Sequence, residues 1–478
     1  MQSILEYHEL TSHRRGSITG RPPNQANRPM PFKVYRGVPV VTAGVEADLP
    51  DIPLDRAREP RTPTDRADLG GLLAATCSLA AGISRIQTLP SGSVFHFRTV
   101  PSAGALYPTE LYLAVQNVVG MNDGLYHYSP FSHSMSQLRT GQVFERRDGD
   151  GPMARFVLTS VFHRSAWKYG PRAYRYCLLD AGHMAQSLLV AAGIHGLGGI
   201  LDYDFDDTAL DDMLAIDPLL EGSLVQVHAL GCTADTPWAA PPRATADDLP
   251  SFSRSASRSE PPPEVLQAHR ITASFARCPM ERRPAPGDNA TPLLPPSLPA
   301  STAATVMARR SRRDFVPRDA PTRDLVDILG LLCLDRAPEC TGAVHTGFLA
   351  APASGLPAGL HALHRAHCTA ARLAGGSLLA RSARVCLDQG WLENAAMHMV
   401  FTADLATLEH RCGPRAYRHA LMEAGRLGHL AYLGATAKNL GACGIGAFFD
   451  QEAARLLALP EGHALLYLVA VGCVRRPR

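Results

Sequence analysis

The hexapeptide GPRAYR occurs twice in this chain, at residues 170–175 and 413–418. Each copy is followed by an Ala-Gly pair, Ala181-Gly182 and Ala424-Gly425. Each then runs through an apolar stretch of helical period into a Gly-rich turn, HMAQSLLVAAGIHGLG in one case and RLGHLAYLGATAKNLGACGIG in the other. Each half closes on an apolar strand ending in Gly-Cys, at 223–232 and 464–473. A short identity by itself is within reach of chance, but the same features in the same order are not. The chain is a tandem duplication, so a fold proposed for one half must also serve the other.

Two breaker-rich stretches set the boundaries. Residues 20–63 hold many prolines and read as an extended arm. From Thr236 to Pro299 the sequence includes PPR, SEPPPE, RRPAPGD and LLPPSLP, a Pro-rich linker with one helical piece at 264–277. The expected organisation is an arm at 1–65, a first unit at 66–235, a linker at 236–298 and a second unit at 299–478. Within a unit the pattern is helix, strand, helix, strand: helical period at 68–83, strand composition at 110–118 and a long helix over 174–193. The closing strand is apolar on both faces, as in the middle of a covered sheet. The fold class expected is α+β, present twice.

Composition removes several classes. The 47 Lys+Arg against 44 Asp+Glu leave a net charge of +3, which is not the concentrated basicity of a nucleic-acid binder. The longest apolar runs fall short of the ~20 residues of a spanning helix, and the N-terminus lacks the apolar core of a secretion signal. Eleven scattered cysteines with no C-x-x-C pair read as small buried hydrophobes in a reducing, cytoplasmic setting. Walker A, H-E-x-x-H and G-x-S-x-G motifs are absent, and GIHGLGG at 193–199 follows a helix where a dinucleotide fingerprint follows a strand.

Four segments carry possible chemistry. FRTVPSAGALYP at 97–108 packs small residues ahead of a strand, which suits a plain turn or backbone laid against a flat ligand, with Ser102 and amide groups at its edge. ARRSRRDF at 308–315 alternates Arg309, Ser311 and Arg313; read as the start of a helix, it suits a phosphate or a solvated charged face. Lys168-Tyr169 precedes the first GPRAYR, whereas Arg411-Cys412 precedes the second. Loss of the pair from one copy, with the flanking string kept, favours an acid, base or anchoring role over an exposed rim. His361, His364, His367 and Cys368 have helical spacing for a metal, but matching 357–364 with 108–115 makes this a strand, and no metal site is expected.

Taken together, FRTVPSAGALYPTELYLAV, GLYHYSP, WKYGPRAYRYCLLDAGHMAQSL and VHALG resemble the SagB/McbC-type (SagB/ThcOx) azoline dehydrogenases, a branch of the FMN-dependent nitroreductase superfamily. The opening YHELTSH and PMPFKVYRG are similar to that branch's lead segment, and the second half resembles a further nitroreductase unit. The resemblance implies two nitroreductase-like units forming an intramolecular pseudo-dimer, with FMN at their interface. It implies cofactor contacts from Arg98, Pro101, Ser102, Ala103, Gly104 and Gln186 in the first unit. From the second it implies Arg309, Ser311, Arg313, Gly444, Ile445 and Gly446. The second unit's own PSAG segment is read as eroded to PASGLPAG at 352–359, leaving one complete site. Lys168 and Tyr169 match the branch's catalytic pair. The implied reaction converts a peptide-borne thiazoline or oxazoline to the azole, with a cyclodehydratase as a possible partner. The alternatives are an NAD(P)H-dependent nitro or quinone reductase and a degenerate scaffold subunit.

Overall fold

A computed structural model describes residues 1–17, 23–42, 49–88, 92–145, 149, 151–274, 290–334 and 344–475. The duplication is visible in its strand order. One antiparallel sheet runs Val40–Thr42, Ser134–Thr140, Gly124–Ser129, Thr109–Gln116, Met153–Val161, Glu221–Leu230, Ile200–Asp202. The other runs Thr291–Pro292, Thr369–Gly375, Gly359–His364, His345–Ala350, Met397–Asp404, His463–Gly472, Gly441–Ile445. Position for position these are the same sheet. The central strands are buried along nearly their whole length, because helices cover them.

This equivalence corrects one sequence alignment. Gly359–His364 matches Gly124–Ser129, the second central strand, and not the first. Both strands open on a glycine of positive φ, 153° at Gly124 and 149° at Gly359. An added Cβ would lie 2.2 Å from the Arg139 carbonyl oxygen in one case and 2.0 Å from that of Ala374 in the other. Pro352–Ser354 therefore occupies the turn between two strands, where the first unit has residues 117–123. It is not the counterpart of the PSAG loop. That counterpart precedes His345–Ala350, and residues 335–343 lie outside the described residues. His361 serves packing: its ring stacks 4.6 Å from that of Phe348.

The two long helices, Ala173–Ile194 and Ala416–Ala437, cross at the repeated Ala-Gly pair. A Cβ on Gly182 would lie 2.0 Å from the Met422 carbonyl oxygen, and one on Gly425 2.2 Å from that of Leu179. Only glycine permits that approach. The stretch Phe162–Ile194 has the length and hydropathy of a membrane span, but 94% of its most apolar window is buried between the units.

The two copies of GPRAYR hold the units together. Arg172 and Arg175 of the first copy reach across to Asp450, each at 2.8 Å. Arg415 and Arg418 of the second copy reach back to Asp207, at 2.8 and 2.6 Å. Both carboxylates sit at the start of equivalent helices, Asp207–Leu214 and Asp450–Leu456.

The stretch expected to be a linker is partly folded onto the first unit. Arg243–Ala244 pairs with Ser134–Thr140, and helices form at Ser251–Ser257 and Pro263–Thr272, close to the expected helical piece. The N-terminal arm is fastened by Lys33, whose buried ammonium donates to Glu221 Oε2 at 2.6 Å, Tyr112 Oη at 2.8 Å and Ser253 Oγ at 3.0 Å. Eight described cysteines are free thiols, whereas Cys412 is disulfide-bonded.

Candidate active site

A cleft enclosing about 760 Å³, part of it open to solvent, lies between the units. The first unit supplies Pro101, Ser102, Ala103, Gly104 and Tyr169; the second supplies Ser311, Arg313, Gly444, Ile445 and Gly446. These are expected residues from segments far apart in sequence, brought together by the crossing of the long helices.

The loop at Pro101–Gly104 is a strained turn. Gly104, Ala105 and Tyr107 all have positive φ, at 62°, 54° and 47°, and the two non-glycine residues there cost energy that neighbouring contacts must offset. Asp180, on the long helix, holds the turn. Ser102 Oγ–H donates to its Oδ2 at 2.5 Å, and the Ala103 amide is shared between its two oxygens at 3.2 and 3.3 Å. The Tyr107 amide donates to Ser102 Oγ at 2.9 Å. Ser102 thus lines the cleft while bonding inward.

Lys168 and Tyr169 end a helix, Phe162–Tyr169, directly over that turn. A Cβ on Gly104 would lie 2.7 Å from Tyr169 Oη and 3.2 Å from Lys168 Nζ, so both polar tips rest on the glycine. Tyr169 packs at 4.5 Å between ring centroids against Tyr176. Burial, with Tyr176 and Asp180 adding to it, pushes its phenol well up, leaving it neutral at physiological pH. Lys168 is exposed, without a carboxylate partner among the described residues.

Opposite, residues 309–315 are an extended segment between the helices Thr302–Ala308 and Thr322–Cys333. They follow a helix C-terminus and do not start a helix, so no N-terminal helix dipole favours an anion there. Ser311 bridges to Ala442 and shares a 3.1 Å hydrogen bond with Tyr432 Oη. Arg313 lines the cleft and has no carboxylate partner among the described residues.

Three expected contacts lie outside the cleft lining, each because its polar group is used elsewhere. Arg309 is buried and donates to the carbonyls of Thr99 at 2.6 Å and Arg98 at 2.9 Å, bracing the entry to the PSAG turn. Arg98 donates to Pro31 at 2.8 Å and lies over the Phe32 and Tyr107 rings. Gln186 accepts from Arg426 at 2.7 Å, on the other side of the pseudo-twofold axis.

Sequence reasoning missed Asp180, Tyr176, His183, Gln389, Tyr432 and Tyr467. Tyr176, Asp180 and His183 share one face of a helix, a signal the periodicity contained. For Gln389 and Tyr467 there was no local signal. His183 bonds Tyr467 Oη at 2.9 Å; burial, with the charge of Arg309, holds it near 3, so it is neutral. Asp180 is the opposite case. Burial lifts its carboxyl to about 7, against the hydrogen bonds from Ser102 and Ala103.

The pseudosymmetric position is filled. Glu423 and Arg426 stand at the places of Asp180 and His183, and they pair with each other at 2.6 Å. Arg365 adds a further contact to Glu423 at 3.5 Å. Tyr203 stands where the cleft has Gly446, with its ring 5.1 Å from that of His419, which takes the place of Tyr176.

The sequence profile of the nitroreductase family matches residues 61–231 and 306–473, one segment per unit. The chain belongs to the nitroreductase family. It is an oxidoreductase built from two family units. A nitroreductase-like protein from Anabaena variabilis shares the whole architecture, with a TM-score of 0.77 over 99% of this chain and 100% of its own, at 23% identity. The McbC-type resemblance is carried by two relatives. Trifolitoxin-processing protein TfxB of Rhizobium leguminosarum bv. trifolii is 28% identical over 27% of this chain and 38% of its own. Microcin B17-processing protein McbC of Escherichia coli is 32% identical over 21% and 42%. MJ1384, a nitroreductase-like protein of Methanocaldococcus jannaschii, is 34% identical over 25% and 65%. This chain spans less than two thirds of the length of each.

Proposed function

We propose that the chain is an FMN-dependent dehydrogenase that oxidises a thiazoline or oxazoline carried on a peptide. The observation that carries this reading is the convergence of the PSAG turn, Tyr169 and Arg313 on one cleft between the units, with Lys168 outside the lining but against Gly104. The cleft fits a flavin phosphate end: Arg313 is a cation with no carboxylate partner among the described residues, beside Ser311 and the Gly444–Gly446 segment. The Pro101–Gly104 backbone offers a flat wall for a ring. When bound, FMN supplies a two-electron acceptor and O₂ reoxidises it, while this chain's residues bind, orient and handle the proton.

Aromatisation of the ring breaks two C–H bonds on adjacent carbons and forms one C=C bond. The acidic ring hydrogen leaves as a proton and its neighbour as hydride. Lys168, in its free-amine form, takes the proton. Tyr169, kept as the phenol, donates a hydrogen bond to the charge that develops on the ring. Their contact with Gly104 ties their placement to the turn that would support the flavin. The similarity to TfxB and McbC, named as trifolitoxin-processing and microcin B17-processing proteins, supports a peptide substrate, and a cyclodehydratase partner follows from that chemistry.

One FMN per chain is expected, because the pseudosymmetric position is filled by Glu423, Arg426 and Tyr203. Flavin released by heat from purified protein, measured against protein concentration, gives the ratio; a value near two overturns this reading. Arg313→Ala removes a charge-assisted phosphate contact of about 1.5–3 kcal/mol. FMN binding then weakens by roughly one to two decades at ~1.4 kcal/mol per decade, read by flavin fluorescence titration. Unchanged affinity would place the phosphate elsewhere. Mixing the flavin-loaded protein anaerobically with NADPH separates this function from a nitro or quinone reductase, since rapid bleaching by NADPH alone supports the reductase.

A further inference from the structure

Asp180 lines the cleft, is buried, and has no cationic partner among the described residues, and nothing in the reaction above uses it. Its counterpart Glu423 is held by two arginines. On the active side His183 replaces one of these and is neutral. We propose that Asp180 is a proton-linked positioning residue: when its carboxyl is neutral, the Ser102 hydroxyl is released to donate into the cleft, and when it is ionised that hydrogen is drawn inward. The inference rests on the reading that the Pro101–Gly104 turn holds a flavin.

The argument is a count of hydrogens. Ser102 Oγ carries one. It already accepts from the Tyr107 amide at 2.9 Å and lies 2.5 Å from Asp180 Oδ2. A carboxylate only accepts, so the ionised form takes the hydroxyl hydrogen. A carboxylic acid brings its own hydrogen to that short contact, and the hydroxyl's is then free for the cavity that Ser102 lines.

The groups facing the carboxyl do not fix it in either state. From the loop come Ser102 and the Ala103 amide. From the neighbouring helix comes Tyr169; from its own helix come Cys177 and His183; from the second unit's closing strand comes Tyr467. Lys168 and Arg313 at the rim make no ion pair with it. Burial lifts the group to about 7, so both states are populated near neutrality. A flavin in the cleft would remove water from it, and a phosphate, doubly ionised above about pH 6, would add negative charge. Both effects favour the neutral acid, so binding and protonation reinforce each other.

The test has two arms. In flavin-free, ¹⁵N-labelled protein the Ala103 and Tyr107 amide resonances are followed by NMR from pH 5.5 to 9. An inflection near 7 is expected in the wild type and none in Asp180→Asn. Ser102→Ala, which removes a donor to the ionised form, should move the inflection upward. In the second arm the FMN dissociation constant is measured over the same range. It should rise by up to about tenfold per pH unit above the midpoint, the limit for one linked proton, and should show no such rise above pH 7 for Asp180→Asn. At pH 9 that variant should bind at least as tightly as the wild type, whereas a purely structural role predicts weaker binding at every pH. Absence of the amide inflection, or weak pH-independent binding by Asp180→Asn, overturns the proposal. An inflection in protein that binds no flavin at all supports the linkage and refutes the flavin reading. If Asp180→Asn does not fold, the displacement between wild type and Ser102→Ala decides.

Discussion

Lys168→Ala and Tyr169→Phe are each expected to lower turnover by about 10²–10⁴ while the protein keeps its full complement of flavin. Both side chains rest on Gly104, and neither is hydrogen-bonded to Ser311, whose hydroxyl bonds Tyr432. Removing them takes away proton transfer or charge stabilisation and leaves the phosphate contacts in place. Tyr169→Phe is the cleaner variant, because the ring packing on Tyr176 survives and only the hydroxyl is lost. Single-turnover reduction of the bound flavin by an azoline-bearing peptide is the measurement. Reduction at the wild-type rate in either variant would move the chemistry to another group.

Asp450→Ala is expected to destabilise the protein by about 3–5 kcal/mol, the usual result of removing one partner from a buried ion pair. Arg172 and Arg175 lose their shared carboxylate and remain almost entirely buried. Asp207→Ala should cost a similar amount, through Arg415 and Arg418. Burial alone would raise the Asp450 carboxyl, but the two guanidinium charges and their hydrogen bonds hold it down at about 2. With the native value below the unfolded one, its contribution is complete above pH ~4 and disappears as pH falls from there through 2. Urea unfolding at pH 7 and at pH 3 measures both effects. The gap between wild type and Asp450→Ala should narrow at the lower pH; a gap that stays constant would show that the carboxylate's charge is not what the arginines need.

How the two units assemble was half legible. GPRAYR, repeated, revealed the duplication, yet nothing in the string says that its arginines cross to the other unit; that depends on where Asp207 and Asp450 end up after folding. The Ala-Gly pairs were visible as repeats, but their purpose, letting two helix backbones touch, exists only once the helices cross.

Local pattern determined what depends on neighbours in sequence. The helix at Leu69–Ala81, the strand at Thr109–Gln116 and the long helix at Ala173–Ile194 follow from periodicity and composition, because each is set by which face of a short segment must leave water. That one cleft would draw on both halves was also legible, since PSAG occurs in one half and R-x-S-x-R in the other. Tertiary structure decided the rest. Arg309 and Arg313 are two residues apart and look interchangeable in sequence, but an extended segment sends alternate side chains to the same side only until the backbone bends. Arg309 is buried against the carbonyls of residues 98 and 99, and Arg313 reaches the cleft. Residues 352–359 resemble PSAG in letters and sit in a different turn, because sheet register fixed their place. Asp180 became a candidate only when burial without a cation raised its carboxyl, and burial is a property of the whole packed molecule.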